Sequence, residues 1–222
     1  MLNFKIRFRL KIELDLISNR TISYKETFKR TMAKLQLRFF PDDILRQKTK
    51  KITNFDSSVR KLANEMLETM YENNGVGLAA PQVGVSKRIM VIDVSDPEDG
   101  RKPIVFINPV LVETEGEMTG VEGCLSFPDV YFEVKRFSRV VVRYQNVTGK
   151  EMRIEAKNDL LCRAIQHEMD HLDGELYIDK AVSKLQADLE LTKHGFMGVA
   201  VEVEEDPEEA LVSHHSTELM LG

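Results

Sequence analysis

The stretch QHEMDHLDG, residues 166–174, sets two histidines four positions apart with a glutamate directly after the first. In an α-helix each residue turns about 100°, so positions four apart lie roughly 40° from one another, one turn along. His167 and His171 can therefore hold one metal ion between them. Glu168 stands where the glutamate of an HExxH pattern takes a proton from water and passes it to a leaving group. A hydrolytic site of this kind needs a third protein ligand and one coordination position left open for water.

The sequence offers three sources for that ligand. The extended pattern HExxHxxGxxH matches as far as Gly174 and fails at Tyr177. An acid from a later helix, Asp188 or Glu190, lies at a workable separation and would make the chain a metallo-endopeptidase. Cys124, in the segment VEGCLSFPDV (121–130), brings a thiolate, a better ligand for a borderline-soft ion than another exposed acid. Cys162 lies five residues before His167 and is turned about 140° from it, so it does not reach the same ion. It is expected to be a small buried hydrophobe. A non-catalytic alternative, an electron carrier with one cysteine, two histidines and an axial methionine, would have no use for Glu168. His194 near a helix end and the adjacent pair His214 and His215 are expected at the surface, with no ligating role.

These residues need a helix and two loops to position them. NDLLCRAIQHEMDHLDG reads as a helix capped near Asn158 and ended by Gly174. Leu160 and Ala164 share the histidine face, and Leu161, Ile165, Met169 and Leu172 extend the apolar surface, so this helix is mostly buried. Asp159, Arg163, Gln166, Asp170 and Asp173 form one polar stripe, and Arg163 is expected to point away from the ion. Upstream, FDSSVRKLANEMLETMYENNG reads as a helix capped by Asp56 or Ser57 and stopped at Asn74-Gly75, with Val59, Leu62, Met66 and Met70 on one face. A glycine-rich loop, GVGLAAPQVG (75–84), comes next. Segments 88–94 and 103–113 read as strands, 121–130 as a loop, and 131–156 as a meander of two or three strands turning at Thr148-Gly149. FPDDILRQ (40–47) is a turn running into a short helical turn, and residues 179–194 form a last helix. Strands grouped before a late helix predict an α+β fold.

Composition is that of an ordinary folded domain: 222 residues, 42% hydrophobic, 30% charged, formal net charge −5. That charge gives no reason to expect direct nucleic-acid binding. No apolar run approaches the roughly 20 residues of a membrane-spanning helix. Two cysteines, one of them a candidate metal ligand, suit a reducing compartment. Residues 1–31 form a basic extension in which Phe4, Ile6, Phe8, Leu10, Ile12, Leu14 and Leu16 alternate like one face of a strand; alternatively, translation begins at Met32. Residues 32–200 are the expected catalytic domain, and 201–222 an acidic, flexible tail.

GVGLAAPQ (75–82), EGCLSFP (122–128) and QHEMDH (166–171) occur in the order and spacing of bacterial-type peptide deformylases. The resemblance covers roughly Met32 to Leu185 and includes FPDDILRQ. It implies a deformylase-like fold: antiparallel or mixed sheets around a central HExxH helix, with a C-terminal helix. It implies one divalent ion on Cys124, His167 and His171, Fe(II) natively, with zinc, nickel or cobalt as alternatives. Glu168 matches the family's catalytic acid–base. Gln82 and the Leu125 N–H match its oxyanion donors. Val76, Gly77 and Gly123 match positions that pair with an extended peptide, and Ala164 matches a position in the methionine pocket. The implied reaction removes the N-formyl group from formylmethionine on nascent polypeptides, releasing formate. The implied location is the bacterial cytoplasm, with an organelle as the alternative. The last helix is either a ribosome-docking element or a plain amphipathic helix packed on the domain.

Overall fold

The computed structural model describes residues 35–196; the alternating segment 4–16, the tail 201–222 and His214 and His215 lie outside them. Helix α1 spans Ser57–Glu72. It is succeeded by strands β1 (Gly77–Ala79), β2 (Ile89–Ile92), β3 (Ile104–Glu115), β4 (Met118–Cys124), β5 (Phe127–Arg136), β6 (Arg139–Gln145) and β7 (Glu151–Lys157). Then come α2 (Leu160–Asp173) and α3 (Lys184–Lys193), and short 3-10 turns occupy Asp43–Arg46, Ala80–Val83, Pro97–Asp99 and Tyr177–Lys180. Five strands form one sheet in the order β1-β2-β3-β6-β7, and β4 and β5 form a second. Every pairing between these strands is antiparallel. The architecture is α+β, with α2 at its centre.

Helix α2 lies against β1, β2 and β7. Its Cys162, Ile165, Met169 and Leu172 join Met90, Ile92, Phe106, Val140 and Val142 in one buried cluster. Strand β2 (IMVI) is buried at every position and contacts both α1 and α2. A continuous apolar run is what such a strand requires. Asp56 caps α1 by accepting the Ser58 and Val59 N–H groups, and Asp159 caps α2 by accepting the Cys162 N–H at 2.7 Å. Gly174 ends α2 in the left-handed region at φ 78°. Met66 and Met70 are fully buried core residues, as helical spacing predicts. Behind the β4–β5 hairpin a second cluster stacks Phe132 on Tyr177 at 4.6 Å and Phe40 on Phe127 at 5.0 Å.

Two elements differ from the sequence expectation. Residues 121–130, read as a loop, belong to the β4–β5 hairpin, with only Leu125 and Ser126 between the strands. Register jumps from Gly123 opposite Tyr131 to Cys124 opposite Phe127, so Pro128, Asp129 and Val130 make a bulge. Proline is tolerated in a strand at such a bulge, where no ladder donor is needed. The last helix starts at Lys184, capped by Ser183, rather than at residue 179. Asp179 is engaged elsewhere, accepting from the Leu176 N–H and from Arg46.

The segment between α1 and β1 is tied to β2 by Asp93. Its N–H donates to the Val76 carbonyl at 2.9 Å. Its carboxylate accepts from Tyr71 Oη at 2.6 Å and from the Ser95 N–H at 3.0 Å. Arg101 lies over the Tyr71 ring at 3.7 Å. Partial burial opposes the Asp93 charge, but the hydrogen bonds from Ser95, Tyr71 and Lys102 N–H outweigh it and hold its pKa below the ordinary value. A depressed carboxylate contributes stability above its unfolded pKa and loses it as pH falls through the folded one. Asp93→Asn is expected to cost about 1–3 kcal/mol at pH 7. In urea titrations the gap between wild type and variant should close below pH 4; a constant gap would show that the charge is irrelevant.

Candidate metal centre

Cys124, His167 and His171 come together as predicted: one ligand atom from each lies within 4.8 Å of the other two. Cys124 Sγ is 3.3 Å from His171 Nε2. Both histidines are buried, and the cysteine, at the end of β4, is half-buried. Asp188 and Glu190 do not join this group; Glu190 lies beside Lys193 and His194 at the end of α3. His194 is thus a helix-end residue paired with its own helix. Cys162 is buried in the core, and burial raises its thiol pKa. The donor set of one sulfur and two imidazole nitrogens suits a borderline-soft divalent ion, and three protein ligands leave a fourth position open.

A buried carboxylate fixes the first histidine. Glu122 Oε2 faces His167 Nδ1 at 2.9 Å and accepts from Arg136 Nη2 at 2.8 Å, while Oε1 accepts from Arg136 Nε and Arg163 Nη1. Binding through Nδ1 leaves His167 Nε2 as the nitrogen that would hold an ion, the usual arrangement for a carboxylate-supported ligand. Burial opposes the Glu122 charge, yet hydrogen bonds from Arg136 and His167 hold its pKa far below the carboxylate range. Arg136 continues to Asp170, which also binds Lys180. The polar stripe of α2 therefore faces protein partners rather than water: Gln166 bonds to both the N–H and the carbonyl of Phe137, and Asp173 pairs with Arg88. Arg163 does not point away as expected but turns toward β4.

Glu168 is buried, and its Oε2 has no hydrogen-bond partner. Burial raises its pKa to about 7, helped by the nearby Glu122 charge. Its other oxygen lies against β1, where a Cβ on Gly77 would approach Oε1 to 2.3 Å. Gly77 is thus the residue that lets the Glu168 carboxyl lie on the strand. Gln82 Oε1 accepts the Ala79 N–H at 2.8 Å, which turns Nε2 toward Cys124 Sγ (3.4 Å) and Ser126 Oγ (3.3 Å). An N–H donor at Ala79 can bond only the amide oxygen, so the orientation of the Gln82 side chain is set by the backbone.

A cavity of about 600 Å³ opens at these groups. Val76 and Gly77 lie on one side, Gly123, Cys124 and Leu125 on another, and Ala164, His167 and Glu168 along α2. All ten site residues expected from the sequence thus meet at one cavity or its metal-ligand group. Glu122, Ser126 and Arg136 complete the site without having been singled out, and Arg163 joins it against expectation. Glu122 and Ser126 sit inside the EGCLSFP motif, the one signal that could have found them. Arg136 carries no local signal.

Residues 34–187 match the sequence model of the polypeptide deformylase family. A peptide deformylase of Thermodesulfovibrio yellowstonii is 48% identical over 158 residues, covering 71% of this chain and 94% of that protein. Peptide deformylase 1 of Nostoc sp. is 44% identical, with 75% and 89% covered. Among solved structures, a peptide deformylase from Synechococcus elongatus in complex with actinonin superposes with a TM-score of 0.71 at 41% identity, covering 75% of this chain and 90% of that one. The open three-ligand centre and the buried carboxyl beside it are what an amide hydrolase needs, and relatives matched over almost their whole length carry that name: the chain belongs to the polypeptide deformylase family.

Proposed function

We propose that the chain removes the formyl group from formylmethionyl N-termini of nascent polypeptides through the ten residues gathered at the cavity, within a catalytic domain of residues 32–200. The observation that carries this reading is Glu168, a buried carboxyl with a free oxygen beside a cysteine and two histidines. The unpartnered Glu168 oxygen and the compact donor set fit a divalent ion with a water in its open position. Cys124, His167 and His171 would hold it. Fe(II) is the proposed native ion, and zinc, nickel or cobalt suit the same donors. When bound, such an ion makes water acidic enough to act as a nucleophile near neutral pH and polarises a carbonyl.

The chain's own groups do the rest. Among the described residues, strand β1 ends the five-stranded sheet and β4 pairs only with β5. An extended peptide can therefore bond to main chain near Val76 and Gly77 on one side and Gly123 on the other. The methionine side chain enters beside Ala164, which is small enough to leave room. A formyl carbon carries only hydrogen, so a narrow space between Glu168, Gln82 and the ligand set would admit it and exclude larger acyl groups. Gln82 Nε2 and the Leu125 N–H meet the oxygen as it gains charge. Glu168 accepts the proton of the attacking water and delivers it to the amine as the C–N bond breaks. A pKa of about 7 suits a group that must accept and release a proton near neutrality.

Helix α3 packs through Ala187 and Leu191 and leaves Leu185 and Leu189 exposed, which supports the ribosome as a docking partner. No described helix is long and apolar enough to cross a membrane. We place the enzyme in the cytoplasm, with its substrate.

Protein loaded anaerobically with Fe(II) should release formate from a formylmethionyl peptide and leave the acetylated peptide intact; cleavage of neither, with metal bound, removes the reading. Glu168→Gln should lower kcat by roughly 10²–10⁴-fold at unchanged metal content, and near-normal turnover would reassign the proton transfer. Gly77→Ala should displace the Glu168 carboxyl and lower kcat by about 10²-fold, since a misplacement of 1 Å is enough for that. Wild-type kcat in this variant would mean that Glu168 acts from another position.

A further inference from the structure

Ser126 belongs to a closed ring of hydrogen bonds that ties together the two groups placed at the oxyanion. It follows Leu125 in the two-residue turn of the β4–β5 hairpin and is fully buried. Its carbonyl accepts the Phe40 N–H at 3.1 Å, and the Gln82 carbonyl accepts the Arg38 N–H at 2.7 Å. Its hydroxyl closes the ring by accepting from Gln82 Nε2 at 3.3 Å. An amide nitrogen has no acceptor capacity, so the hydroxyl can only be the acceptor in this contact. Residues 38–40 thus form a strap between the turn Ala80–Val83, which carries Gln82, and the hairpin turn, which carries Leu125.

Donor counting gives this ring a role. Gln82 Nε2 carries two hydrogens, and two acceptors meet them, Ser126 Oγ and Cys124 Sγ at 3.4 Å. Sulfur is the weaker acceptor. The hydrogen on the Cys124 side is therefore the one a substrate oxygen beside the ligand set can take over. The Ala79 N–H fixes which end of the amide is the oxygen, yet a single anchor leaves the group free to pivot about it. Ser126 is the second anchor, and the burial of both Ser126 and Gln82 keeps solvent from competing for that hydrogen. We propose that Ser126 is a positioning residue of the oxyanion site: its hydroxyl occupies one Gln82 amide hydrogen and so turns the other toward the formyl oxygen. The backbone bonds of Arg38 and Phe40 hold Ser126 and Gln82 at the spacing this needs. This rests on the deformylase reading and adds to it the origin of the Gln82 orientation.

The test is a double-mutant cycle on the metal-loaded enzyme with a formylmethionyl peptide, reading kcat, KM and metal content for Ser126→Ala, Gln82→Leu and the pair. Ser126→Ala should lower kcat by about five- to tenfold, the effect of one hydrogen bond of ordinary net strength, with KM and metal content unchanged. Gln82→Leu should lower kcat by about 10²–10³-fold, as for loss of one oxyanion donor. The double variant should be no slower than Gln82→Leu, because Ser126 acts only through the amide. A merely structural role for Ser126 would make the two losses multiply, as independent effects do. Multiplying losses, or an unchanged kcat in Ser126→Ala, overturn the proposal. A second readout needs neither turnover nor a folded variant: in isotope-labelled, zinc-loaded wild type, both Gln82 side-chain N–H protons should exchange slowly with water in NMR spectra. Rapid exchange of both would overturn the anchoring. In Ser126→Ala one of the two should become fast. Absence of formate release by the wild type, with the slow protons still present, would instead overturn the deformylase reading.

Discussion

The pairing of Glu122 with Arg136, Arg163 and His167 joins three elements through one buried carboxylate. Strand β4 supplies the carboxylate, β5 one guanidinium, and α2 the second guanidinium and the imidazole. All four side chains are at least largely buried. Removing one member from such a cluster strands the others in a medium of low dielectric, which costs about 3–5 kcal/mol. The cluster therefore does more than orient one ring. It fixes the distance between the hairpin that carries Cys124 and the helix that carries both histidines, and so sets the ligand geometry.

The same economy of position appears around Glu168. A buried carboxyl with one bare oxygen is destabilising unless something else needs it there. The fold accommodates it by keeping Gly77 without a side chain and by tying the neighbouring Val76 carbonyl to Asp93. Support for the reacting groups thus comes from main-chain positions on β1 and from charges on the far side of α2. Catalytic sites commonly hold strain or unsatisfied groups of this kind, compensated elsewhere in the fold.

Much of this arrangement could be read in advance because it is local. His167, Glu168 and His171 are related by helical geometry alone. The caps at Asp56 and Gly174 stem from residue type, and the burial of Met66 and Met70 from spacing. The β4–β5 hairpin was missed because its two-residue turn is Leu125-Ser126, without the asparagine or glycine that marks such turns, and because Pro128 looks like a strand breaker when it in fact sits in a bulge. Arg136 lies 14 positions after Glu122 and 34 before Asp170, and nothing in its neighbourhood announces either contact. Arg163 was placed on the polar side of α2, correctly, but that side meets the hairpin instead of water. Helical periodicity gives the direction of a side chain and not the group that stands opposite it.

The two strand edges that border the cavity carry a further consequence. A polypeptide lying between β1 and β4 would be recognised by its amides, which every residue possesses, and not by its downstream side chains. Only the first side chain would reach the recess proposed for it beside Ala164. Such an enzyme would be strict about the initiator residue and indifferent to the residues behind it, so one active site could process the start of every protein a cell makes.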